Sequence, residues 1–202
     1  MRGSICGLIV SSTYLVIGSI QMKGVVFVKL SEFIEDVFGL AFWDEILQEG
    51  HLPSGGAYTT VENYADEELF AIIASVSEKK GISPEDAQIA FGKWVFKELH
   101  AAAPPEVHQF TDVFSFLHGV QNVIHVEVKK LNPDAMLPEF DFLNETETDL
   151  TLRYRSPRKM CHFCEGIIYG LSEHTDQKVN VTHEKCVLKN ESECVLNVKK
   201  LA

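Results

Sequence analysis

The chain has 202 residues, which suits one domain with a substantial buried core. Its hydrophobic fraction of 46% and charged fraction of 23% are ordinary for a globular protein and argue against intrinsic disorder. The net charge of −11, with no run of more than two Lys or Arg residues, argues against DNA or RNA as a main partner.

The first 21 residues differ from the rest of the chain. They carry one charge, Arg2, and an apolar run from Ile5 to Ile20 that is shorter than the roughly 20 residues needed to span a bilayer. No A-x-A-like cleavage site precedes Met22, where MKGVVF has the character of a natural start. We predict an apolar extension over 1–21 and one domain over 22–202, with a targeting segment as the alternative. We expect no membrane association and a cytoplasmic location.

Amphipathic helices dominate the first half of the domain. Apolar residues recur at helical spacing over 29–48, with a break at Gly39. A second helix is predicted over 66–80, ended by Gly81. A third begins after Ser83, a good N-cap that precedes a proline, and ends near residue 100.

The pattern changes in the second half. After the break AAAPP, one long helix is predicted over 110–131, and LNPDAMLPEF ends it with two prolines. Alternation of apolar and polar residues over 150–155 predicts a strand, followed by a helix over 159–176 and two short strands, KVNVT and CVLNVKK. We therefore predict an α+β fold, with a helical first half and a second half of helices on a small antiparallel sheet.

Three polar side chains follow one another at a spacing of two. Tyr154, Ser156 and Arg158 point to one face of an extended segment, and Pro157 keeps Ser156 out of helical geometry. A phenol, a hydroxyl and a guanidinium on one face suit a carboxylate ligand. Ordinary polar groups at a strand end are the alternative.

Soft metal ligands gather in the last quarter of the chain: Cys161, Cys164, His183, Cys186 and Cys194. Five such ligands within 34 residues suit tetrahedral zinc, which needs four. Buried thiols that act only as small core residues are the alternative.

One histidine of the long predicted helix could bind haem iron. His125 lies seven residues after His118 on the same helical face, and an imidazole is a common haem ligand. A lone helical histidine is more often a hydrogen-bonded structural group, and its neighbours do not decide between the two readings.

Two segments in this order, HVEVKKLNPDAMLPEF and LRYRSPR, resemble the H-NOX domain. This domain is a haem–nitric oxide/oxygen binding sensor that also occurs in soluble guanylate cyclases. The segments MKGVVFVKLSEFIEDVFG and FWDEIL resemble the N-terminus of the same family, so the resemblance runs from Met22 to the C-terminus. It implies haem b held between a helical distal half and the C-terminal half.

The resemblance implies roles for individual residues. His125 becomes the proximal haem ligand, and Pro138 becomes the residue that presses on and distorts the macrocycle. Tyr154, Ser156 and Arg158 become a clamp on the haem propionates, which are carboxylates of the kind that the spacing suits. His118 receives no role.

The distal side is expected to decide which gas binds. Oxygen-binding members of the family have a tyrosine five residues after the motif arginine, where this chain has Phe163. Val95 stands at a neighbouring position that is polar in the oxygen-binding members, and Leu30 stands where those members have a tryptophan. Bound dioxygen carries negative charge and needs a hydrogen-bond donor, so these three residues favour nitric oxide over oxygen. Plain core packing is the alternative.

The resemblance to zinc-bearing H-NOX domains selects Cys161, His183, Cys186 and Cys194 as zinc ligands and leaves Cys164 spare. Thiol oxidation that releases zinc is a weaker hypothesis.

The predicted function is therefore nitric oxide sensing rather than catalysis. Binding of nitric oxide is expected to break the iron–His125 bond and to signal to a separate effector, a bacterial histidine kinase or cyclic-di-GMP enzyme. A first rival is a small-ligand module without haem, because CEGIIYG and the later cysteines also resemble the 4-vinyl reductase domain. A second is a peroxidase, which needs a distal His or Arg acid–base pair that the predicted pocket lacks.

Overall fold

The N-terminal half of the protein is helical, as predicted. The computed structural model describes residues 21–201, so the predicted extension lies outside the described residues except for Gln21. Two short antiparallel strands frame the first helices, and their bounds are β1 (Gln21–Lys23) and β2 (Asn63–Ala65). The helices of this half are α1 (Gly24–Phe38), α2 (Leu40–Gly50), α3 (Asp66–Lys80) and α4 (Pro84–Ala101).

The helix boundaries follow from local chemistry. Gly39 separates α1 from α2. Its φ of 89° lies in a region that residues with a side chain rarely adopt. Gly81 adopts the left-handed conformation at φ 65° and ends α3. The hydroxyl of Ser83 accepts a hydrogen bond from the Asp86 backbone N–H at 3.0 Å and caps α4. These three predictions are confirmed.

The long helix predicted over 110–131 is wrong as a single regular element. A short 3₁₀ helix (Pro105–Gln109) precedes α5 (Val113–Gly119), whose first backbone N–H groups are capped by Asp112. A π-helical segment (Val120–Ile124) then leads into α6 (His125–Leu131). His125 comes immediately after this π-helical segment. Because π-helical turns recur at functional sites, this position favours a functional role for His125.

The C-terminal half includes β3 (Glu139–Glu145), β4 (Asp149–Arg155), α7 (Cys161–His174), β5 (Val179–Lys185) and β6 (Cys194–Lys200). The four strands form one antiparallel sheet in the order β3-β4-β6-β5. The strand β3 was not predicted, because its apolar and polar residues alternate over too short a stretch after the prolines. Helix α7 lies between β4 and β5 in sequence, and the predicted α+β fold class is confirmed.

Two apolar clusters organise the fold. The distal core lies among α1 to α4 and is built around Phe27, Ile34, Leu69, Ile72 and Phe91. The sheet core lies between the sheet, α5 and α7, and is built around Val113, Leu150, Leu152, Leu171 and Leu196. None of the helices within 21–201 is long and apolar enough to cross a membrane.

Glycines allow α4 and α7 to cross closely. A Cβ at Gly92 would collide with the backbone oxygen of Phe163, and one at Gly166 would collide with the backbone oxygen of Ile89. Gly170 similarly lies against Phe96. Because this contact has no room for a methyl group, it fixes α7 against the distal helices and sets the position of Phe163.

Candidate functional site

Three predicted distal residues meet in the distal core. Leu30 from α1 and Val95 from α4 are each 2% exposed, and Phe163 from α7 packs against the same cluster. The ring centroids of Phe163 and Phe91 are 5.2 Å apart. The structure therefore brings these side chains together, and none of the three has a hydrogen-bond donor.

His125 is the first residue of α6 and is partly buried. Its ring centroid lies 5.6 Å from that of Phe140, and its Nδ1 is buried without a hydrogen-bond partner among the described residues. Burial lowers the pKa of His125 to about 4, so the imidazole is neutral at neutral pH. A neutral imidazole with an uncommitted ring nitrogen is the form in which histidine binds a metal.

The helix that carries His125 is incompletely packed. No residue of the π-helical segment or of α6 is buried, although this stretch contains Val123, Ile124 and Val126. Val126 is 45% exposed and Leu131 is 82% exposed. The apolar side chains of this segment thus find only part of their packing partners within residues 21–201.

Tyr154 and Ser156 lie together at the end of β4. Tyr154 is 5% exposed and pairs across the sheet with Phe140, and the centroids of the two rings are 6.1 Å apart. Burial raises the pKa of the Tyr154 phenol, while a hydrogen bond with Ser156 opposes this shift. Ser156 Oγ also accepts a hydrogen bond from the backbone N–H of Arg158 at 3.2 Å.

Arg158 makes a buried ion pair that the sequence did not indicate. Its Nε lies 2.7 Å from Oδ2 of Asp66, the first residue of α3, with the two side chains only 8% and 7% exposed. Its terminal nitrogens donate hydrogen bonds to the backbone oxygens of Met136 and Gln21. Asp66 Oδ1 is buried without a hydrogen-bond partner among the described residues, and burial raises the pKa of this carboxyl against the opposing effect of Arg158.

An open cleft of about 710 Å³ runs beside the β4 end. Tyr154 and Ser156 line it together with Leu137, and it extends to Cys194. Pro138 lies in the loop between α6 and β3 and is partly buried. Two of the three predicted clamp residues and Cys194 of the cysteine cluster therefore line the same cleft, and Arg158 is not among its lining residues.

The cysteine cluster joins α7 to the last two strands. Cys161 begins α7 and Cys186 follows β5, and their sulfurs are 3.6 Å apart. The ligand atoms of Cys161, Cys186, His183 and His162 all lie within 4.8 Å of one another, which is compact enough for one metal ion.

Cys194 flanks this group, and Cys164 lies apart from it. The Cys194 sulfur accepts a hydrogen bond from the Val187 backbone N–H at 3.4 Å, and Cys194 also contacts Cys161 and Cys186. Burial, followed by the neighbouring Cys194 and Cys186, raises the pKa of the Cys161 thiol. Burial raises the pKa of the Cys164 thiol to about 12.

A shared carboxylate holds the two histidines. Glu165 Oε2 lies 3.1 Å from His162 Nδ1 and 2.9 Å from His183 Nε2, and the two rings stack with centroids 4.3 Å apart. Burial raises the pKa of Glu165, but the contacts with His162 and His183 lower it by more than burial raises it. The pKa of Glu165 is therefore lowered to about 2. Sequence reasoning missed His162 and Glu165; their spacing of one and four residues after Cys161 on a helix was the available signal.

The solved structures similar to this chain include three H-NOX proteins of about the same length. The H-NOX protein from S. oneidensis in the Fe(II)NO ligation state is 31% identical, with a TM-score of 0.82 over 90% of this chain and 100% of that chain. Unliganded Fe(II) H-NOX from K. algicida is 30% identical, with a TM-score of 0.81 over 90% and 97%. The IWP-051-bound Fe(II)CO H-NOX from Shewanella woodyi is 32% identical, with a TM-score of 0.75 over 89% and 95%.

The sequence also matches a family model. The Haem-NO-binding model covers residues 23–183, which include the distal residues, His125 and the β4 motif. Comparison with curated proteins finds no match. Since the family model covers most of the chain and the fold agrees with that of the solved structures, the protein belongs to the H-NOX family.

Proposed function

We propose that the protein is a nitric oxide sensor that binds haem b, disfavours oxygen and has no catalytic activity of its own. The observation that carries this proposal is the apolar distal group of Leu30, Val95 and Phe163. Bound haem would supply a ferrous iron to which a diatomic gas can bind. Oxygen on iron needs a donor near its outer atom, whereas nitric oxide does not, and these three side chains offer none.

The residues around His125 fit a haem. His125 is neutral and has a buried Nδ1 without a partner among the described residues. The apolar side chains of the surrounding helix are only partly covered by the chain, which suits a helix that packs against a flat apolar group. We assign His125 as the iron ligand and Pro138 as the residue in contact with the macrocycle.

The clamp residues fit two carboxylates. Arginine has five N–H donors, and each terminal nitrogen of Arg158 uses one of them, to the backbone oxygen of Met136 or of Gln21. The Nε forms the ion pair with Asp66 but has no hydrogen-bond partner among the described residues. One N–H on each terminal nitrogen is therefore left for a propionate, beside the hydroxyls of Tyr154 and Ser156. We assign these three residues as the propionate clamp, with Asp66 holding the guanidinium in place.

The response to nitric oxide is proposed to begin at His125. Loss of the iron–His125 bond would free α6, in which no residue is buried, while Val120, Val123 and Ile124 before it stay partly packed against the sheet core. The altered helix is then read by a separate effector protein, and a histidine kinase or a cyclic-di-GMP enzyme in the cytoplasm fits this role.

A zinc ion is proposed in the cysteine cluster. Cys161, His183, Cys186 and Cys194 supply three thiolates and one imidazole, and His183 Nδ1 is buried without a partner among the described residues. This donor set is one that tetrahedral zinc accepts. The ion would tie the start of α7 to the ends of β5 and β6.

Absorption spectra of the reduced protein test the gas preference. We expect a Soret band from bound haem, a shift with nitric oxide and no shift when the reduced protein is first mixed with air. A stable spectral change in air would contradict the assignment of the distal residues. A purified protein that takes up no haem, and so shows no Soret band, would favour the small-ligand module resembling the 4-vinyl reductase domain, with the cleft beside Cys194 as its site.

A further inference from the structure

The cysteine cluster contains one histidine more than the predicted zinc set. His162 follows Cys161 in α7 and is 8% exposed. Its ligand nitrogen belongs to the compact group with Cys161, His183 and Cys186, and within the described residues Cys194 is not part of that group. A buried imidazole this close to two thiols requires an explanation, because its Nε2 has no hydrogen-bond partner among the described residues and leaving a buried polar atom unpaired is unfavourable.

Glu165 makes the same kind of contact with both histidines. The same oxygen, Oε2, contacts His162 Nδ1 and His183 Nε2. A carboxylate accepts N–H donors, so each ring carries its proton on the Glu165 side and has a lone pair on its other nitrogen. Those other nitrogens, His162 Nε2 and His183 Nδ1, are both buried without a partner among the described residues. Two imidazoles, each with one unpartnered ring nitrogen, therefore lie in the same compact group as the thiols of Cys161 and Cys186.

We propose that His162 is a fifth donor of this metal site, able to take the coordination position of Cys194, and that Glu165 positions both imidazoles. This inference rests on the proposed zinc site. Cys161, His183 and Cys186 remain ligands in both arrangements. The fourth ligand is then either the Cys194 thiolate or the His162 imidazole, and zinc accepts both the Cys₃His and the Cys₂His₂ set.

The exchange has a structural basis in the two elements that carry the alternative ligands. His162 lies in α7, whereas Cys194 is the first residue of β6. With Cys194 bound, the metal joins α7, the end of β5 and β6. With His162 bound, β6 is released while the metal stays with Cys161, His183 and Cys186. The site can therefore lose its contact with one strand without losing its ion.

Metal content and the spectrum of the cobalt-substituted protein test the proposal on the haem-loaded full chain. The variants are Cys194→Ser, His162→Ala and their combination, with His174→Ala as a control for an exposed histidine of the same helix. We expect each single variant to retain one metal ion per chain. Cobalt in Cys194→Ser should show one thiolate contact fewer than in the wild type. The double variant should bind zinc at least about 10-fold more weakly than either single variant.

Glu165→Gln tests the positioning role, with Glu173→Gln on the same helix as its matched control. Removing the shared carboxylate should lower zinc affinity about 10- to 100-fold, as is typical for an outer partner of a metal-bound histidine. The control should have no effect. Far-UV circular dichroism and the Soret band verify that each variant is folded independently of its zinc content.

The outcomes separate this inference from the zinc proposal. If the wild type binds no zinc, both are overturned. If the wild type binds zinc but Cys194→Ser already loses it, or the double variant binds as tightly as the single variants, the exchange is overturned and the zinc site stands. An unchanged zinc affinity in Glu165→Gln would overturn the positioning role.

Discussion

The two sides of the proposed haem site are built in opposite ways. The distal side is part of a well-packed core, in which Leu30 and Val95 are 2% exposed and α4 and α7 touch backbone to backbone at Gly92. On the proximal side, none of residues 120–131 is buried. A rigid distal wall keeps the environment of a bound gas constant, whereas a loosely packed helix can move at little cost. Under the proposed function, the distal wall would select the gas and the proximal side would respond to it.

Replacement of His125 is expected to have the largest effect. His125→Gly should lower haem affinity by on the order of 100-fold or more, because even the outer partners of metal ligands are worth about 10- to 100-fold. Added imidazole should restore the haem spectrum without the covalent link to α6. His118→Ala is the matched control, since His118 is on the preceding helix and pairs with Glu145. Equal haem loss in both variants would contradict the role of His125.

Removal of Arg158 tests whether the clamp depends on the buried ion pair. Arg158→Ala leaves Asp66 buried and unpaired, so unfolding should become easier by about 3–5 kcal/mol and haem retention should fall. Arg155→Ala is the control, because Arg155 and its partner Glu139 are exposed, its second partner Asp141 is partly exposed, and exposed pairs contribute about 0–1 kcal/mol. Urea unfolding measures the change in stability, and the rate of haem transfer to a haem-free acceptor protein measures haem retention. Similar losses for both variants would argue against the clamp.

A tyrosine at position 163 should alter the distal wall without disturbing the proximal helix. Phe163→Tyr adds a hydroxyl near the gas site and should raise oxygen affinity by roughly 10- to 100-fold, as expected for a hydrogen bond to a charged group. Phe163→Leu removes the ring without adding a donor and should leave oxygen binding absent. If Phe163→Tyr shows no oxygen complex in air, our placement of Phe163 beside the gas is wrong.

Substitution of Gly92 tests the rigidity of the distal wall. In Gly92→Ala, the added methyl group would collide with the backbone of Phe163, so stability should fall by about 1–3 kcal/mol. Gly50→Ala is the control, since its nearest contact would be an ordinary 3.4 Å from Leu52, and its effect should stay within about 0.5 kcal/mol. A neutral effect of Gly92→Ala in thermal unfolding would show that α7 shifts easily and that the wall is not rigid.

The smallest expected effect concerns the contact between α4 and α5. His100, near the end of α4, packs against Phe116 of α5, with ring centroids 5.7 Å apart. Burial, and then the neighbouring His174 and His108, lowers the pKa of His100. The unfolded chain therefore binds a proton more readily, and this group makes the fold less stable as pH falls below about 6.5.

The variant His100→Gln should remove this part of the acid sensitivity. The difference in urea-unfolding free energy between pH 7.5 and pH 5.5 should become smaller than in the wild type. His51→Asn, at an exposed histidine with a left-handed backbone, is the control and should leave the difference unchanged. An unaltered pH dependence in His100→Gln would contradict the assignment.

Local sequence signals predicted the elements that local chemistry controls. Gly39, Gly81 and the Ser83 cap determine helix ends through backbone conformation and one hydrogen bond, so they are visible in the sequence. The π-helical segment before His125 was not predictable, because apolar spacing does not distinguish a π turn from an α turn. The strands β1 and β2 contain three residues each and are too short to show alternation.

The same distinction holds for the candidate site. The spacing of Tyr154, Ser156 and Arg158 indicated a carboxylate clamp, since residues two apart in an extended segment share a face. Asp66 was missed because it is 92 residues from Arg158 and meets it only through the packing of α3. The helical spacing of Glu165 from His162 was a local signal, but its contact with His183 joins a helix to a strand and could not be read from the spacing. Tertiary contacts of this kind have no signal at short range.

The most direct test of the central claim is electron paramagnetic resonance of the reduced, haem-loaded protein after addition of nitric oxide. The spectrum counts the nitrogen nuclei that couple to the unpaired electron. We predict coupling to the nitrogen of nitric oxide alone, because His125 has left the iron and its helix is free to move. A persistent second coupling from the His125 nitrogen at equilibrium would contradict the account.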